Sequence, residues 1–532
     1  MEESVSVAVD AGPLALAAFI AYLAVVVALG AFSARFSSAG ISEFFVGGRR
    51  MNRWVVALSA VVSGRSAWLL LGVTGLAYTR GASAVWAVVG YISVEIFLFL
   101  GYGRRLRRFA GARDCVTVPD FFAARLGEEA AGGEGEAAAG AGEDRQGALL
   151  RLTTTGVILL FMVGYVAAQF VAGGKAFAAG FGIDPTRGVF LTAAIVLAYT
   201  VLGGFLAVSL TDLVQAVFML FALIALPLVA FARRGGLEAV LAELAALDPA
   251  LVDPAVLGVG VFLGFIGIGL GSPGSPHVLA RYMSIDDAEQ LRASAVVGTL
   301  WNVLLAWGAL FVGLAGRAWF PTVEMLPAAD PENLYPTLAA HLLHPVLFGM
   351  VVASIFAAIM STADSQLLVA ASSVVRDVYE KVLRRGRPVP QRRLVLLSRL
   401  AVAVLVGISL LLGLMAEDLV FWLVLFAWAG LGASLGPTSL LALYWRRTTR
   451  AGVLAGLVTG AAVTIAWKLI PATDAWLYEL IPGFLAGLAA TVLVSLVTSP
   501  PPRVDEMFAV MRGTAEEGAG GAERAPGTAP GR

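Results

Sequence analysis

Four oxygen-bearing side chains crowd one short stretch of an apolar segment: Ser361, Thr362, Asp364 and Ser365. Helical spacing places Ser361 on the same face as Asp364 or Ser365. A hard cation such as sodium takes oxygen ligands, and hydroxyls together with backbone carbonyls of an unwound neighbouring helix can supply them. The alternative is that each hydroxyl bonds back to a carbonyl of the preceding turn, as isolated Ser and Thr commonly do. The stretch therefore predicts either a cation site or a set of back-bonded hydroxyls.

Two opposite charges lie at similar depth in neighbouring apolar segments. Arg65 is central in the segment 54–78, WVVALSAVVSGRSAWLLLGVTGLAY, and Glu95 is central in the segment that follows it. An arginine at mid-membrane depth costs about 3 kcal/mol to insert, so its side chain should face protein or water rather than lipid. Pairing with Glu95 would satisfy both charges, either as a structural ion pair or as part of a functional site.

The composition is that of a polytopic membrane protein. Of the 532 residues 59% are hydrophobic and 14% are charged, and the mean hydropathy is +0.84, whereas soluble domains carry about 25% charged residues. A formal net charge of zero gives no electrostatic argument for a nucleic-acid partner. The single cysteine, Cys115, excludes an internal disulfide and a cysteine metal cluster. We expect no cofactor apart from a coupling ion.

The apolar runs predict an all-α protein with about thirteen transmembrane helices. Residues 127–146 are acidic and of low complexity, which indicates a disordered cytoplasmic loop. The chain divides into six parts, which are 1–53 (extracellular amino terminus, first span and cytoplasmic loop), 54–232 (first inverted repeat, containing that loop), 233–256 (extracellular loop), 257–444 (second inverted repeat), 445–498 (two last spans) and 499–532 (disordered cytoplasmic tail).

Two of these spans, the second and the seventh, have sequences that interrupt a helix. The second carries Ser63, Gly64, Arg65 and Ser66 at its centre, and the seventh has five glycines and two prolines between Gly264 and Pro276. An odd number of spans per repeat inverts the second copy, so spans two to six and seven to eleven can form an inverted pair. Broken helices at matching positions indicate a substrate site at the bilayer midplane. Alternatively, Gly and Pro are simply frequent in membrane helices.

The basic residues predict the orientation. With the amino terminus outside, the Arg clusters at 35–53, 104–113, 376–393 and 446–450 all lie inside. Arg233 and Arg234 then fall on the wrong side. Thirteen spans place the carboxyl terminus in the cytoplasm, and we expect a multi-pass protein of the plasma (inner) membrane.

Four motifs, in order, carry a family resemblance. They are FFVGGRRMNRWVVALSAVVSGRSAWLLLG, YTVLGGFLAVSLTDLVQ, SPHVLARYM and AAIMSTADSQLLVAASSVVRDVY. Together they resemble the sodium:solute symporter family, nearest to its sodium/proline symporter branch. The resemblance implies a leucine-transporter-type fold of 5+5 inverted repeats with two broken helices. It also implies alternating-access transport of a small organic solute, proline or another amino acid, together with sodium.

The resemblance also assigns cation ligands. The Ala358 carbonyl and the Ser361 and Thr362 hydroxyls would hold sodium against the carbonyls of Val62 and Arg65, with Asp364 beside them. A second cation site in some members implies a similar role for Asp212, with Ser209 one turn before it. The alternative for Asp212 is an interfacial carboxylate near the cytoplasmic end of its span.

Substrate residues follow from the same matches. Trp68 and Tyr165 match substrate-linked positions of the proline branch, and Pro276 matches in the second broken helix. The branch has aromatic residues where this chain has Ile268 and Ser272, which would open the pocket. We therefore expect proline, with a larger amino acid or another small carboxylate as competitor. Trp68 and Tyr165 would otherwise be packing aromatics.

The first broken helix departs from the branch at Gly64, where the branch has an aspartate, and at Arg65, where it has an uncharged residue. A fixed positive charge repels a nearby cation strongly in a low dielectric. The first option is that Asp364 or Glu95 neutralises Arg65 and leaves the sodium site working. Arg65 can instead clamp a substrate carboxylate. The third option is that its charge replaces sodium, giving a cation-independent carrier or a membrane solute sensor.

The expected partners are a small-molecule solute, a sodium ion and the lipid bilayer, and no nucleic acid. A sensor would need a separate signalling protein, because no signalling domain follows the last span in this sequence. A membrane enzyme would need a catalytic cluster, and three scattered histidines with one cysteine offer none. The sequence therefore favours a transporter over both rival classes.

Overall fold

The computed structural model describes residues 12–33, 40–127, 145–385, 387–416 and 419–514, and every regular element in those ranges is helical. The α-helices are Gly12–Ser33, Ile41–Val46, Arg53–Ser63, Thr74–Arg80, Val85–Phe97, Gly103–Ala112, Val118–Leu126, Arg145–Phe181, Pro185–Ala232, Leu237–Leu247, Val259–Gly267, Pro276–Ser284, Leu291–Trp319, Leu334–Leu342, Pro345–Ser372, Gln391–Leu414, Val420–Tyr444, Arg450–Leu469, Pro471–Asp474, Leu480–Val497 and Val504–Arg512. Wider π-helical turns occur at Trp68–Val73, Leu98–Tyr102 and Ser373–Leu383.

Within the described ranges, ten helical segments are long and apolar enough to cross a membrane, or eleven with one bent pair. The number differs from the expected thirteen for two structural reasons. The segment Trp68–Ala112 runs through the second half of span two and all of span three without a non-helical gap. The helices Arg53–Ser63 and Pro185–Ala198, which correspond to the first half of span two and to span five, are short.

The first broken helix comprises Arg53–Ser63 and Trp68–Arg80, and the chain between them leaves the α-helical path. The Asn52 side chain caps its start by accepting hydrogen bonds from the amides of Trp54 and Val55, both at 3.0 Å. At the break Ser66 has a φ of +43°. The Ala67 amide donates to Gln169 Oε1 at 3.1 Å. A side chain from another helix thus satisfies backbone that the break exposes, which an apolar interior requires.

The second broken helix comprises Val259–Gly274 and Pro276–Ser284, which meet at an angle of 52°. Its first half ends in a 3₁₀ stretch, and Ser275 is extended before the second half begins at a proline. A Cβ atom built on Gly274 would lie 2.4 Å from the Leu431 carbonyl oxygen, so only glycine permits this close approach. The glycines predicted to interrupt this span therefore also let it pack against the helix Val420–Tyr444.

The helix Pro345–Ser372, called the signature helix below because it carries the fourth motif, is buried on almost every side. It packs against the helices Gly12–Ser33, Arg145–Phe181 and Pro185–Ala232, and against the first half of the first broken helix. A membrane helix enclosed by protein can carry polar side chains that lipid would not tolerate. Its hydroxyls therefore lie in the protein interior.

The four arginine-rich segments meet at one end of the bundle. Arg49 pairs with Asp114 at 2.8 Å, and Arg376 pairs with Asp120 at 3.3 Å. Arg446, which follows the helix Val420–Tyr444, also lies there and reaches the carboxyl-terminal region. The end at which they meet is called the basic end below.

Residues 499–532 were expected to be disordered, and for their described part this is wrong. Val504–Arg512 forms a helix at the basic end, where Arg446 pairs with Asp505 at 2.8 Å and Arg125 lies 5.2 Å from the Phe508 ring. The helix forms because its apolar stripe (Met507, Phe508 and Met511) is buried against the helix Gly103–Ala112. Residues 515–532 lie outside the described ranges.

Two further segments of the predicted domain organisation can be compared with the structure. The segment 233–256, expected as a loop, contains the helix Leu237–Leu247, whose Val240 and Leu244 are buried. Of the acidic stretch 127–146, residues 128–144 lie outside the described ranges.

Candidate functional site

A small closed cavity lies where the first broken helix faces the second, in the middle of the bundle. Its volume of about 10 Å³ has room for about one water molecule. An organic solute would therefore need the surrounding side chains to move apart. The lining residues are Gly64, Arg65, Trp68, Tyr91, Tyr165, Ile268, Val424, Leu425 and Trp428.

The structure brings together some of the predicted substrate residues and leaves others out. Trp68 and Tyr165 both line the cavity, and the Tyr165 hydroxyl donates to Ser66 Oγ at 3.3 Å. Ser272 and Pro276 are buried but do not line it.

Trp428 explains why the cavity stops short of Ser272. Its Nε1 donates to the Ile268 carbonyl at 2.8 Å, which holds the indole over the 3₁₀ stretch. A Cβ atom on Gly271 would lie 1.9 Å from that nitrogen. The indole therefore occupies the space between the cavity and Ser272.

Arg65 is enclosed by protein groups on all sides. Its Nη2 donates to Glu95 Oε2, its Nε donates to Asn302 Oδ1 at 2.7 Å, and its Nη1 donates to the Gly64 carbonyl at 3.2 Å. The Tyr91 ring centroid lies 4.0 Å from the guanidinium carbon. Asn302 Nδ2 also donates to Glu95, so the three polar side chains form one closed network.

In this network the Glu95 carboxylate balances the buried positive charge of Arg65. Arg65 and Glu95 are about 3% and 5% exposed in their side chains, so neither is solvated by bulk water. A buried charge without a counter-charge would be strongly destabilising, and it would repel any cation held nearby. With Glu95 alongside, the neighbourhood of the first broken helix carries no net charge from this pair.

The oxygen atoms predicted to hold a cation converge between the first broken helix and the signature helix. Ser361 Oγ donates to the Val62 carbonyl at 3.4 Å and to the Ala358 carbonyl at 3.1 Å. Thr362 Oγ1 donates to the Ser63 carbonyl at 3.0 Å. The hydroxyls therefore reach across to the broken helix as well as back to their own helix. The Arg65 carbonyl, also predicted as a ligand, accepts the Leu69 amide at 3.1 Å.

Asp364 belongs to a second polar cluster on the same helix. Its Oδ1 accepts from Ser365 Oγ at 3.0 Å, and it interacts electrostatically with Asp212. Asp212 Oδ2 accepts from Ser59 Oγ at 2.5 Å and from Ser63 Oγ at 3.3 Å. Both carboxylates are fully buried.

Arg281 supplies the positive charge of this cluster. Its Nη2 lies 3.4 Å from Asp212 Oδ2 and also donates to Ser365, and its Nε donates to Ser59 Oγ at 3.1 Å. Asp212 Oδ1 and Asp364 Oδ2 have no hydrogen-bond partner among the described residues. Two carboxylates facing one guanidinium leave one negative charge if both are ionised.

Ser209 is the predicted member that this cluster does not include. Its hydroxyl is buried and makes no hydrogen bond within the described part of the chain. Asp212 is not the interfacial carboxylate that the sequence left open, since it is fully buried beside Arg281.

The residues of these sites that sequence reasoning missed include Tyr91, Asn302, Arg281 and Trp428. Asn302 could have been found as a lone amide inside an apolar span, the signal that identified Glu95. Arg281 lies in the quoted motif SPHVLARYM but at its end, where a basic residue suggests a membrane boundary. Tyr91 and Trp428 are ordinary aromatics in apolar sequence, and only the fold shows that they meet.

A larger chamber of about 420 Å³ lies on the side of the cavity away from the basic end. Its lining includes the aromatic residues Trp422, Trp476 and Tyr478. Ile268 and Leu425 line both the chamber and the small cavity. These two apolar side chains therefore form the partition between the two spaces.

Comparison with known proteins identifies relatives over almost the whole chain. The sodium:solute symporter family matches residues 44–132 and 143–460. The high-affinity proline transporter PutP of Bacillus subtilis is 37% identical over 469 residues, covering 87% of this chain and 94% of that protein. The osmoregulated proline transporter OpuE of the same organism is 36% identical, covering 88% and 92%. A sodium/proline symporter of Staphylococcus aureus is 34% identical, covering 94% and 96%.

Two solved structures share the fold. A sodium-coupled sialic acid symporter in a substrate-bound, outward-open state superposes with a TM-score of 0.76 at 18% identity, over 92% of this chain and 99% of that one. The nucleobase-cation-symport-1 transporter Mhp1 in a closed conformation gives a TM-score of 0.52 at 12% identity, over 89% and 99%. The predicted transporter fold with two broken helices is confirmed.

The Arg65–Glu95 network generates a stability prediction. Glu95→Gln leaves a buried guanidinium without a counter-charge, which typically costs about 3–5 kcal/mol. We expect a clearly lower thermal unfolding midpoint for the purified variant, and substantial recovery when Arg65→Met is added, because the double variant buries no charge. Glu289→Gln is the matched control, since this carboxylate pairs with Arg104 and Arg108 but is about half exposed. A Glu95→Gln variant as stable as the parent protein would contradict the pairing.

Proposed function

The chain belongs to the sodium:solute symporter family, and from that premise we propose that it carries L-proline, or a closely similar amino acid, together with sodium. The protein is a multi-pass membrane transporter, and the expectation that it is not an enzyme is confirmed by its family. The observation that carries the proline assignment is full-length similarity, at 34–37% identity, to proline transporters of two organisms.

The cavity supports a small amino acid as substrate. Its walls are mostly aromatic and aliphatic, with few polar groups, as small-molecule sites usually are. Trp68, Tyr165 and Trp428 line the cavity, and aromatic side chains suit the methylene groups and the ammonium of proline. Ile268, in place of an aromatic of the proline branch, makes room for a larger side chain, so analogues of proline are the first competitors to test.

The first sodium ion is proposed to bind between the first broken helix and the signature helix. Its ligands would be the carbonyls of Val62 and Ala358 and the hydroxyls of Ser361 and Thr362, which already lie within hydrogen-bonding distance of one another or of adjacent carbonyls. Rotation of the two hydroxyls turns their lone pairs toward the ion. The Arg65 carbonyl can add a ligand through its second lone pair. Asp364 interacts with Asp212, and we assign it to the second cation site described next rather than to this one.

The polar cluster around Asp212 and Asp364 is proposed as a second cation site. The observation that favours it is the pair of buried carboxylate oxygens without described partners, with only Arg281 to balance two acids. Ser59, Ser63 and Ser365 supply further oxygen atoms. Ser209 is not included, since its hydroxyl makes no hydrogen bond within the described residues.

The pairing of Arg65 argues against two alternatives. In one its charge replaces sodium, and in the other its guanidinium binds the carboxylate of the substrate. A guanidinium that stands in for sodium must present uncompensated charge to the ion site, but Glu95 neutralises it. A clamp for a substrate carboxylate uses two parallel N–H groups, whereas three of the five Arg65 N–H groups, one on each nitrogen, already donate to protein oxygens. Sodium coupling is therefore favoured over a cation-independent carrier or a sensor.

Alternating access would operate on the path that the cavities outline. Solute and sodium enter through the chamber, pass between Ile268 and Leu425, and bind beside the two broken helices. Rocking of the first and second broken helices, with the helices that follow them, against the remainder would then open the basic end. Each inward positive charge is driven by about 2.3 kcal/mol per 100 mV of membrane potential, in addition to its concentration gradient.

The proposed orientation places the amino terminus outside and the basic end in the cytoplasm, in the plasma (inner) membrane. Segments near 49, 113, 376 and 446 share that end, in agreement with the rule that basic loops stay inside.

A labelling experiment tests this orientation. Cys115 is buried, and burial raises the pKa of its thiol, so it should not react with maleimides. Thr322→Cys, at the chamber side, should react with a membrane-impermeant maleimide in intact cells. Ser499→Cys, near the basic end, should react only after permeabilisation. The opposite pattern would invert the topology.

Uptake into proteoliposomes tests the proposed function. An inward sodium gradient should drive accumulation of radiolabelled L-proline, and a potassium or choline gradient should not. Removing an ion ligand by Ser361→Ala or Thr362→Ala should raise the sodium concentration for half-maximal uptake about tenfold or more, as expected for the loss of one charge-assisted contact. Ser372→Ala is the control, because that hydroxyl bonds only to its own helix at Val369. Proline uptake that ignores both sodium and potential would refute the coupled mechanism.

A further inference from the structure

The central cavity has two buried donors that no described residue satisfies. The Trp68 indole nitrogen and the Tyr91 hydroxyl both lack a hydrogen-bond partner within the described ranges. The two residues are about 5% and 1% exposed, and both line the cavity. A buried N–H or O–H group without an acceptor is costly, so most such groups in proteins have a partner.

The two side chains that carry these donors are neighbours in the cavity lining. The Trp68 and Tyr91 rings meet edge to face with centroids 5.7 Å apart, and the other face contact of Trp68 is the Phe421 ring at 5.9 Å. Tyr91 is held from a third direction by the Arg65 guanidinium at 4.0 Å from its ring. Neighbours on several sides therefore fix the position of Tyr91, which suits a group that recognises a ligand.

The other polar groups of the cavity lining are already engaged. Arg65 uses all three guanidinium nitrogens within the protein, Trp428 Nε1 donates to Ile268, and the Tyr165 hydroxyl donates to Ser66. Among the lining residues, the Trp68 indole nitrogen and the Tyr91 hydroxyl are therefore the donor atoms that have no protein partner in the described ranges. The solute group that matches two unsatisfied donors is an acceptor, and a carboxylate offers two oxygen atoms.

We propose that Tyr91 and Trp68 hold the carboxylate of the transported solute, and that Tyr91 determines specificity for solutes with a free carboxylate. This inference rests on the proposed function and deepens it, since it assigns the carboxylate of the amino acid to one side of the cavity and its apolar part to the other. The carboxylate accepts from the Tyr91 hydroxyl and the Trp68 indole. The apolar remainder of the solute then faces Val424, Leu425 and Ile268.

Ligand pairs that differ only in the acid group test the proposal. Thermal unfolding of the full-length protein is measured in sodium buffer with L-proline or with L-prolinamide, and then with other amino acids and their amides. The parent protein should be stabilised by acids and much less by amides. Tyr91→Phe should weaken L-proline binding about 10- to 100-fold, as expected for a lost hydrogen bond to a charged group, and change binding of L-prolinamide little.

Two further variants keep this result interpretable. Trp68→Phe removes the second donor while keeping an aromatic ring, so it should lower the same acid-to-amide ratio. Tyr282→Phe is the matched control, because its hydroxyl is also buried without a partner among the described residues but does not line the cavity. Sodium-dependent stabilisation without solute should be unchanged in the Tyr282→Phe control.

The outcomes separate this inference from the proposed function. If L-proline stabilises the protein but Tyr91→Phe and Trp68→Phe keep the parent acid-to-amide ratio, the inference is wrong and the function stands. An equal fall of that ratio in Tyr282→Phe would also overturn the inference. If L-proline has no effect but another amino acid does, the proline assignment is wrong, and the ratio for that acid decides the inference. Amides that stabilise as well as their acids would refute it directly.

Discussion

The buried network of Arg65, Glu95 and Asn302 is the interaction on which the rest of this structure depends. A guanidinium inside a membrane protein needs a counter-charge and acceptors for its N–H groups, and here three helices supply them. Without Glu95, the positive charge would oppose any cation bound at the neighbouring broken helix. With it, the charge of Arg65 is balanced beside the proposed ion ligands, although this chain has Gly64 where the sequence comparison led us to expect an aspartate in the proline branch.

The two broken helices expose backbone groups that can contribute to the proposed sites. Breaking a helix in an apolar interior frees backbone groups that must find partners, as the Ala67 amide does at Gln169. The same break exposes the Val62 carbonyl to the hydroxyl of Ser361 on the signature helix. The proposed solute and ion sites therefore share one structural element, so that occupancy of one can influence the other through the position of the broken helix.

Much of this architecture was predictable from sequence, because glycine, proline and charge are unambiguous in apolar segments. The interruptions at Gly64 and between Gly264 and Pro276 identified both broken helices, and depth alone placed Glu95 near Arg65. The exclusion of Ser272 from the cavity lining was not predictable, since the Trp428 indole that lies between them comes from a distant span. The proposed role of Tyr91 was not predictable either, because nothing in the sequence distinguishes it from other aromatic residues in apolar spans.

Sodium-specific stabilisation of the purified protein tests the central claim most directly. The thermal unfolding midpoint is measured while sodium replaces potassium at constant ionic strength, so that general salt effects cancel. Because a ligand that binds only the folded state stabilises it, a working ion site beside a neutralised Arg65 predicts a midpoint that rises with sodium and saturates. A midpoint that does not distinguish sodium from potassium would contradict the account.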